Sequence, residues 1–287
     1  MISWRPYADV HGHDNTVTGN VLVWPELHSA GLGRIAEICV YLPPSLGPEG
    51  SGWTDGRRYP TIYFNDGQNI FDDRTANAGE WHADETLEVL SGEGIEAIAV
   101  AVPNSSARLD EYSPWRAPNP FSQGSSEVGG RGEIYLEWLV GSVMPLVDRS
   151  FPTSTEREAT GIIGSSMGGL ISLYALMFEP RAFGFAGVMS PSVRWADYSI
   201  VRMIEEGKLP PGRIHLDMGG SEWGGMVDDS RLLRDTLVRT GWQEGNDLQY
   251  IEDDIGGHHE TAWSWRLPDA LRFLLAPFRS LGAGDPS

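Results

Sequence analysis

Residues 157–180 read Arg-Glu-Ala-Thr-Gly-Ile-Ile-Gly-Ser-Ser-Met-Gly-Gly-Leu-Ile-Ser-Leu-Tyr-Ala-Leu-Met-Phe-Glu-Pro. The apolar run Ala159–Ile163 is too short for a helix and reads as a buried strand. Gly164-Ser165-Ser166-Met167-Gly168 follows, and the apolar segment Leu170–Phe178 reads as a helix that Pro180 stops. Strand, G-x-S-x-G, helix is the order of a nucleophile elbow, a strained turn that lifts one hydroxyl clear of a sheet. Register selects the serine. Ser166 has glycine two residues before and two after, whereas Ser165 has Ile163 and Met167 there. The competing reading is a glycine-rich turn whose serines only cap a helix.

Working outward, the rest of the chain alternates short apolar strands with amphipathic segments. Val17–Trp24 and Arg34–Leu42 read as the first two strands, joined through Gly31 and Gly33. Pro43–Arg58 is a loop, and Tyr59–Phe71 holds a third strand that runs into the turn Asp66-Gly67-Gln68. Ala83–Leu90 reads as a helix and Ile95–Val102 as a strand covered on both faces. Residues 103–130 form a long loop with four prolines and a Gly/Ser run from Gln123 to Gly130. In that loop Tyr112, Trp115 and Phe121 offer apolar surface to a substrate.

Ile134–Val147 has helical spacing, bent or restarted at Pro145. Beyond the elbow, Phe183–Met189 and Arg213–Met218 read as strands, with 193–212 irregular between them and Trp195 and Tyr198 as candidate pocket walls. A helix (Asp229–Thr240), a strand (Leu248–Glu252), a Gly256-Gly257-His258-His259 turn and a last helix (Thr261–Leu275) complete the pattern. Such alternation predicts a mostly parallel, twisted sheet with helices on both faces. Length and the lack of a linker favour one α/β domain over 1–287.

The chemistry follows from chain order. A serine hydroxyl needs a base, and the base needs an anion to hold its tautomer. In this architecture the order is serine, acid, histidine. His215, His258 and His259 are the histidines downstream of Ser166. His215 alternates with apolar neighbours inside a strand and reads as structural. His258 and His259 sit in a glycine turn at the carboxyl edge of the sheet, and their neighbourhood alone does not separate them. Glu222 follows a strand in the turn Gly219-Gly220-Ser221 and is the candidate acid, with Asp228 and Asp229 as reserves. The two oxyanion donors expected here are the backbone amides of Gln68 and Met167.

Bulk numbers exclude other partners. Against 21 basic residues stand 40 acidic ones, a net charge of −19 that repels nucleic acid and anionic membranes. The single cysteine, Cys39, rules out an intramolecular disulfide and multi-cysteine metal sites. No segment has the length of a membrane span and the N-terminus has no apolar signal region, so the expected location is the cytoplasm. His11 and His13 echo a metal motif without a third local histidine, so a solvated N-terminal loop and no metal are expected. No cofactor is called for. A homo-oligomer is left open.

Four stretches carry a family resemblance: Tyr-Pro-Thr-Ile-Tyr-Phe-Asn-Asp-Gly-Gln-Asn-Ile-Phe (59–71), Arg108-Leu109-Asp110-Glu111-Tyr112, the elbow, and Gly257-His258-His259-Glu260-Thr261-Ala262-Trp263. Together, over about residues 16–276, they resemble the putative-esterase family, which includes esterase D, enterochelin (siderophore), feruloyl and acetylxylan esterases and mycolyltransferases. The resemblance implies the α/β-hydrolase fold and a Ser-His-acid triad. By position it makes Ser166 the nucleophile, His258 the histidine, Glu222 the acid and Gln68 and Met167 the oxyanion donors. His259 stands where the family usually has Asn or Ser, and Gly220 where it has Thr.

The expected activity is therefore a serine carboxylic-ester hydrolase on a small-molecule ester, with Tyr112, Trp115 and Trp195 lining the substrate site. The aromatic content favours feruloyl-type, sugar-linked or short acyl esters. Acyl transfer and siderophore-ester hydrolysis are the alternatives within the class. A metal-dependent hydrolase using His11 and His13, or a non-catalytic binding module, are the alternatives outside it.

Overall fold

The computed structural model describes residues 2–47, 56–122, 125–207 and 210–279. Residues 48–55 of the expected Pro43–Arg58 loop, and Gln123 and Gly124 of the Gly/Ser run, lie outside them. The strands are β1 (Arg5–Pro6), β2 (Asn20–Ser29), β3 (Arg34–Leu42), β4 (Thr61–Asn65), β5 (Ile98–Val102), β6 (Ala117–Pro118), β7 (Glu127–Val128), β8 (Thr160–Ser165), β9 (Phe185–Met189), β10 (Arg213–Gly219) and β11 (Leu248–Asp253). The helices are α1 (Tyr7–His11), α2 (Ala83–Gly92), α3 (Arg108–Glu111), α4 (Gly132–Trp138), α5 (Met144–Ser150), α6 (Met167–Phe178), α7 (Trp195–Glu206), α8 (Met226–Arg239) and α9 (Glu260–Leu275). A π-helical stretch, Leu139–Val143, joins α4 to α5 just ahead of Pro145.

Nine strands form one sheet in the order β1-β2-β3-β5-β4-β8-β9-β10-β11. The six from β5 to β11 run parallel, and β3 pairs antiparallel with β5 on one side and β2 on the other. This is the α/β-hydrolase arrangement that the βα alternation predicts. Burial on both faces explains why the central strands read as continuous apolar runs. Alternate residues feed two cores. Tyr63, Val100, Ile162, Val188 and Leu216 face α4–α8, while Phe64, Ala101, Ile163 and Met189 face α2 and α9. β6 and β7 form a separate two-stranded ribbon within the 103–130 loop.

One expectation is corrected in the fold. Residues 195–206, read as irregular, form α7. Its first turn is interrupted by left-handed Ala196, Asp197 and Tyr198 (φ 49°, 55° and 59°), and the buried face Ile200, Val201 and Ile204 is short. Too few apolar repeats remain to announce a helix.

Candidate active site

β8 delivers the central residue. Ser166 follows β8 directly and has φ 57°, ψ −119°, outside the regions a non-glycine residue normally occupies. The turn closes because a side chain at Gly164 would sit 2.7 Å from the Gly168 backbone. α6 begins at Met167, so the Met167 amide has no partner within the helix.

The histidine comes from the turn between β11 and α9. His258 Nε2 lies 3.0 Å from Ser166 Oγ and Nδ1 lies 2.8 Å from Glu222 Oε2. An ionised carboxylate only accepts hydrogen bonds, so Nδ1 carries the proton and Nε2 turns its lone pair to the serine. His259 is separated from its neighbour by role: its ring caps α9, accepting from the Ala262 amide. Glu222 reaches His258 because the turn after β10 presses on the turn after β11. A Cβ on Gly219 would lie 2.2 Å from the Gly256 carbonyl oxygen.

Glu222 is buried, and its second oxygen accepts from Ser190 Oγ and from the Gly219 amide. Burial pushes its pKa up, but hydrogen bonds from His258 and Ser190 outweigh it and hold the carboxyl below its usual range. Ser190 in turn accepts from Trp263 Nε1 (3.0 Å) and Arg266 Nη2 (2.8 Å). Arg266 also pairs with Asp217 at 3.2 Å. His215, expected to be structural, is fully buried between Gln249 and Asp217. Asp228 and Asp229 are not brought to His258. Asp228 pairs with Arg231, and Asp229 is engaged by Arg194 and Tyr198.

Gln68 lies in a short turn after β4. Asp66, just before it, is left-handed (φ 55°, ψ 43°) and is held from three sides. Arg108 grips its carboxylate with two 2.7 Å hydrogen bonds, Asn104 Nδ2 adds another at 2.5 Å, and its amide donates to Tyr112 Oη at 2.9 Å. The same guanidinium lies 3.5 Å from the Ser165 carbonyl. Arg108 thus ties the Gln68 turn to the elbow.

Tyr112 is a correction. It is wholly buried against Tyr135 and supports Asp66, so its ring is not offered to a substrate. Trp115 packs edge-on to Tyr174, and its depression is shared with Ser199, Arg202 and Met203, without any of the Ser166 network. Phe121 is exposed. Trp195 does reach the cleft beside the serine. That cleft, about 540 Å³, is walled by Trp195, Trp223, Pro118, Pro120, Arg194 and Met226 and includes Ser192. Ser192 Oγ is 3.3 Å from Ser166 Oγ, and Trp223 sets its ring edge-on to His258 at 5.2 Å. Sequence reasoning passed over Trp223, Ser192, Ser190 and Arg266. Trp223 directly follows Glu222, which is the signal that was there to use.

The expected N-terminal loop is instead partly helical: His11 ends α1, stacks on Tyr7 and pairs with Glu37 at 2.8 Å. His13 is exposed, and the two histidines do not converge on one point with acidic groups among the described residues.

Residues 29–274 match the family described as "Putative esterase". The chain belongs to this family. It is a serine esterase by family. A Bacillus subtilis protein described as uncharacterized, YbbA, is 30% identical over 262 residues, which is 88% of this esterase and 96% of YbbA. The "Ferri-bacillibactin esterase BesA" of Bacillus subtilis is 27% identical over 253 residues, covering 82% of this chain and 83% of its own. Among solved structures, the BES protein from Bacillus cereus superposes with a TM-score of 0.69 at 20% identity, over 90% of this esterase and 97% of that chain. That likeness shows the shared fold.

Proposed function

We propose that the esterase works through an acyl-enzyme on Ser166, with His258 as base and acid, Glu222 as its anion, and the Gln68 and Met167 amides as oxyanion donors. One observation carries this reading: Ser166 Oγ, the His258 ring and Glu222 form a continuous hydrogen-bonded chain at the edge of an aromatic-walled cleft. Ser166 Oγ attacks the acyl carbon as its proton passes to Nε2. The C–O bond to the alcohol then breaks, and the alcohol leaves with that proton. Water gives a proton to His258 and attacks the acyl carbon; the bond to Ser166 Oγ then breaks, Oγ takes the proton back from His258, and the carboxylic acid leaves. Each oxyanion donor contributes on the order of 3 kcal/mol.

For the substrate we infer a siderophore-type ester, in preference to the feruloyl or sugar-linked esters that aromatic content alone suggests. The support is the similarity, over 82% of this chain, to a protein named as a ferri-bacillibactin esterase. The cleft is consistent with it: Trp195 and Trp223 suit a flat aromatic acyl group.

The test is a substrate panel of bacillibactin and enterobactin, each with and without iron, plus methyl ferulate, acetylated xylose and p-nitrophenyl acetate. Products are resolved by chromatography with mass detection, and Ser166→Ala is the control. The siderophore esters should give the highest kcat/KM, and Ser166→Ala should fold normally and turn over none of them. A preference for methyl ferulate sinks the substrate assignment alone. A folded Ser166→Ala that still hydrolyses p-nitrophenyl acetate sinks the mechanism.

A further inference from the structure

A second group of titratable side chains shares no residue with the Ser166 network. Glu80 precedes α2, His82 stands at its N-cap position, and Asp84 and Glu85 lie in its first turn. Acids in a first helical turn are ordinary, because the free amides there favour negative charge. Glu80 is different: it lies outside the helix and is only 3% exposed.

The donors around this group are too few. Thr16 Oγ1 donates to Glu80 Oε2 at 2.7 Å, the Thr18 amide to Asp84 Oδ2 at 2.6 Å and Thr18 Oγ1 to Glu85 Oε1 at 3.4 Å. Three further carboxylate oxygens, Glu80 Oε1, Asp84 Oδ1 and Glu85 Oε2, are buried and meet no hydrogen-bond donor among the described residues. No arginine or lysine pairs with these acids among the described residues, and Asp72 adds a further carboxylate on the Thr16 side. A buried carboxylate without a partner costs several kcal/mol, so the group lacks a positive charge.

The geometry indicates where that charge fits. His82 Nδ1 lies 3.6 Å from Glu80 Oε2 and 3.6 Å from Glu85 Oε1, and the three ligand atoms fall within 4.8 Å of one another. A zinc ion about 2.0–2.2 Å from each of its ligands holds them roughly 3.3–3.6 Å apart in a tetrahedral site. We propose that Glu80, His82 and Glu85 form a structural site for a divalent transition cation, of which Zn²⁺ is the best fit. Two carboxylates and an imidazole suit zinc or manganese better than calcium, which prefers an all-oxygen shell. The half-exposed His82 side chain opens the site to solvent and provides the way in. The cation would pin the N-terminal segment carrying Thr16 to the start of α2 through Glu80.

The test uses the full chain after chelator treatment, titrated with ZnCl₂ by calorimetry and followed by thermal unfolding. One zinc per chain should bind and raise Tm, and chelator should reverse the rise. Glu80→Gln and His82→Asn should each weaken binding by more than about tenfold, the order lost when even a supporting partner of a metal ligand is removed. Asn tolerates the left-handed backbone at 82, so the second variant separates ligand loss from misfolding. Absence of both binding heat and a Tm shift overturns the proposal. So does zinc binding with unchanged affinity in folded Glu80→Gln and His82→Asn, which places the ion elsewhere.

Discussion

Replacing Ser190 with Ala should damage catalysis through Glu222, without touching any group that meets the substrate. Ser190 Oγ accepts from Trp263 Nε1 and Arg266 Nη2 and donates to Glu222 Oε1. A hydroxyl has one hydrogen and two lone pairs, and here all three are used. Indole and guanidinium only donate, so the hydroxyl hydrogen has no option but Glu222. A fully buried serine therefore locks the carboxylate against the imidazole.

The magnitude follows from the bonds lost. A hydrogen bond to a charged group contributes about 1.5–3 kcal/mol, and each buried donor left unpaired costs about 1–3 kcal/mol. The losses overlap, so a destabilisation of about 3–5 kcal/mol is expected, comparable to breaking a buried pair. For the reaction, the bond to Glu222 alone sets an upper limit of about 10- to 100-fold in kcat, at about 1.4 kcal/mol per factor of ten. The decisive reading is the pH profile of kcat/KM for p-nitrophenyl acetate.

Ser190 is among the groups that hold Glu222 below its usual range against the opposing effect of burial. Without it the folded-state pKa of Glu222 rises, so the anion behind His258 is lost at a higher pH and activity on the acid limb falls away sooner. Stability carries the same sign. A depressed carboxyl stabilises the fold above its unfolded pKa, near 4.3, and that contribution is lost as pH falls through the folded value. The variant should accordingly lose less stability on acidification than the parent. Trp263→Phe, which keeps the Ser190–Glu222 bond, should leave the limb in place. A folded Ser190→Ala enzyme with normal kcat and an unmoved acid limb would refute the reasoning.

Other expectations are more direct. Arg108→Met should lower kcat on the order of 100-fold with KM little changed, as measured by steady-state kinetics, because the turn offering the Gln68 amide loses its tie to the elbow. Gly219→Ala places a Cβ 2.2 Å from the Gly256 carbonyl oxygen, so denaturant unfolding should register a loss of about 1–3 kcal/mol, with a matching fall in kcat. Trp223→Ala removes a side chain that is 66% exposed, so Tm should hardly move while KM for an aromatic siderophore ester rises about tenfold.

Much of the fold is local in origin and could be read locally. β3 begins and ends where the apolar run Arg34–Leu42 does, and the elbow is written in a few residues. The grouping of Ser166, Glu222 and His258 is legible for a related reason. In a parallel sheet every strand ends at the same edge, so residues just past β8, β10 and β11 must share it. Choosing between His258 and His259 was beyond local physics; the answer depends on which ring caps α9.

What escaped the sequence depends on contacts between distant segments. Tyr112 sits in a proline-rich aromatic loop and looks like a pocket wall, yet its hydroxyl is taken by the amide of Asp66, 46 positions earlier. The groups behind Glu222 are more dispersed still: Ser190 follows β9, Asp217 lies in β10, and Trp263 and Arg266 lie on α9. No spacing rule links them, and each alone reads as an ordinary core or helix residue. They become one unit because burying Glu222 and Asp217 creates a demand for donors and positive charge that Arg266, Trp263 and Ser190 help to meet. That demand exists only after the chain has folded, which is why the hydroxyl at 190 is the most informative atom to remove.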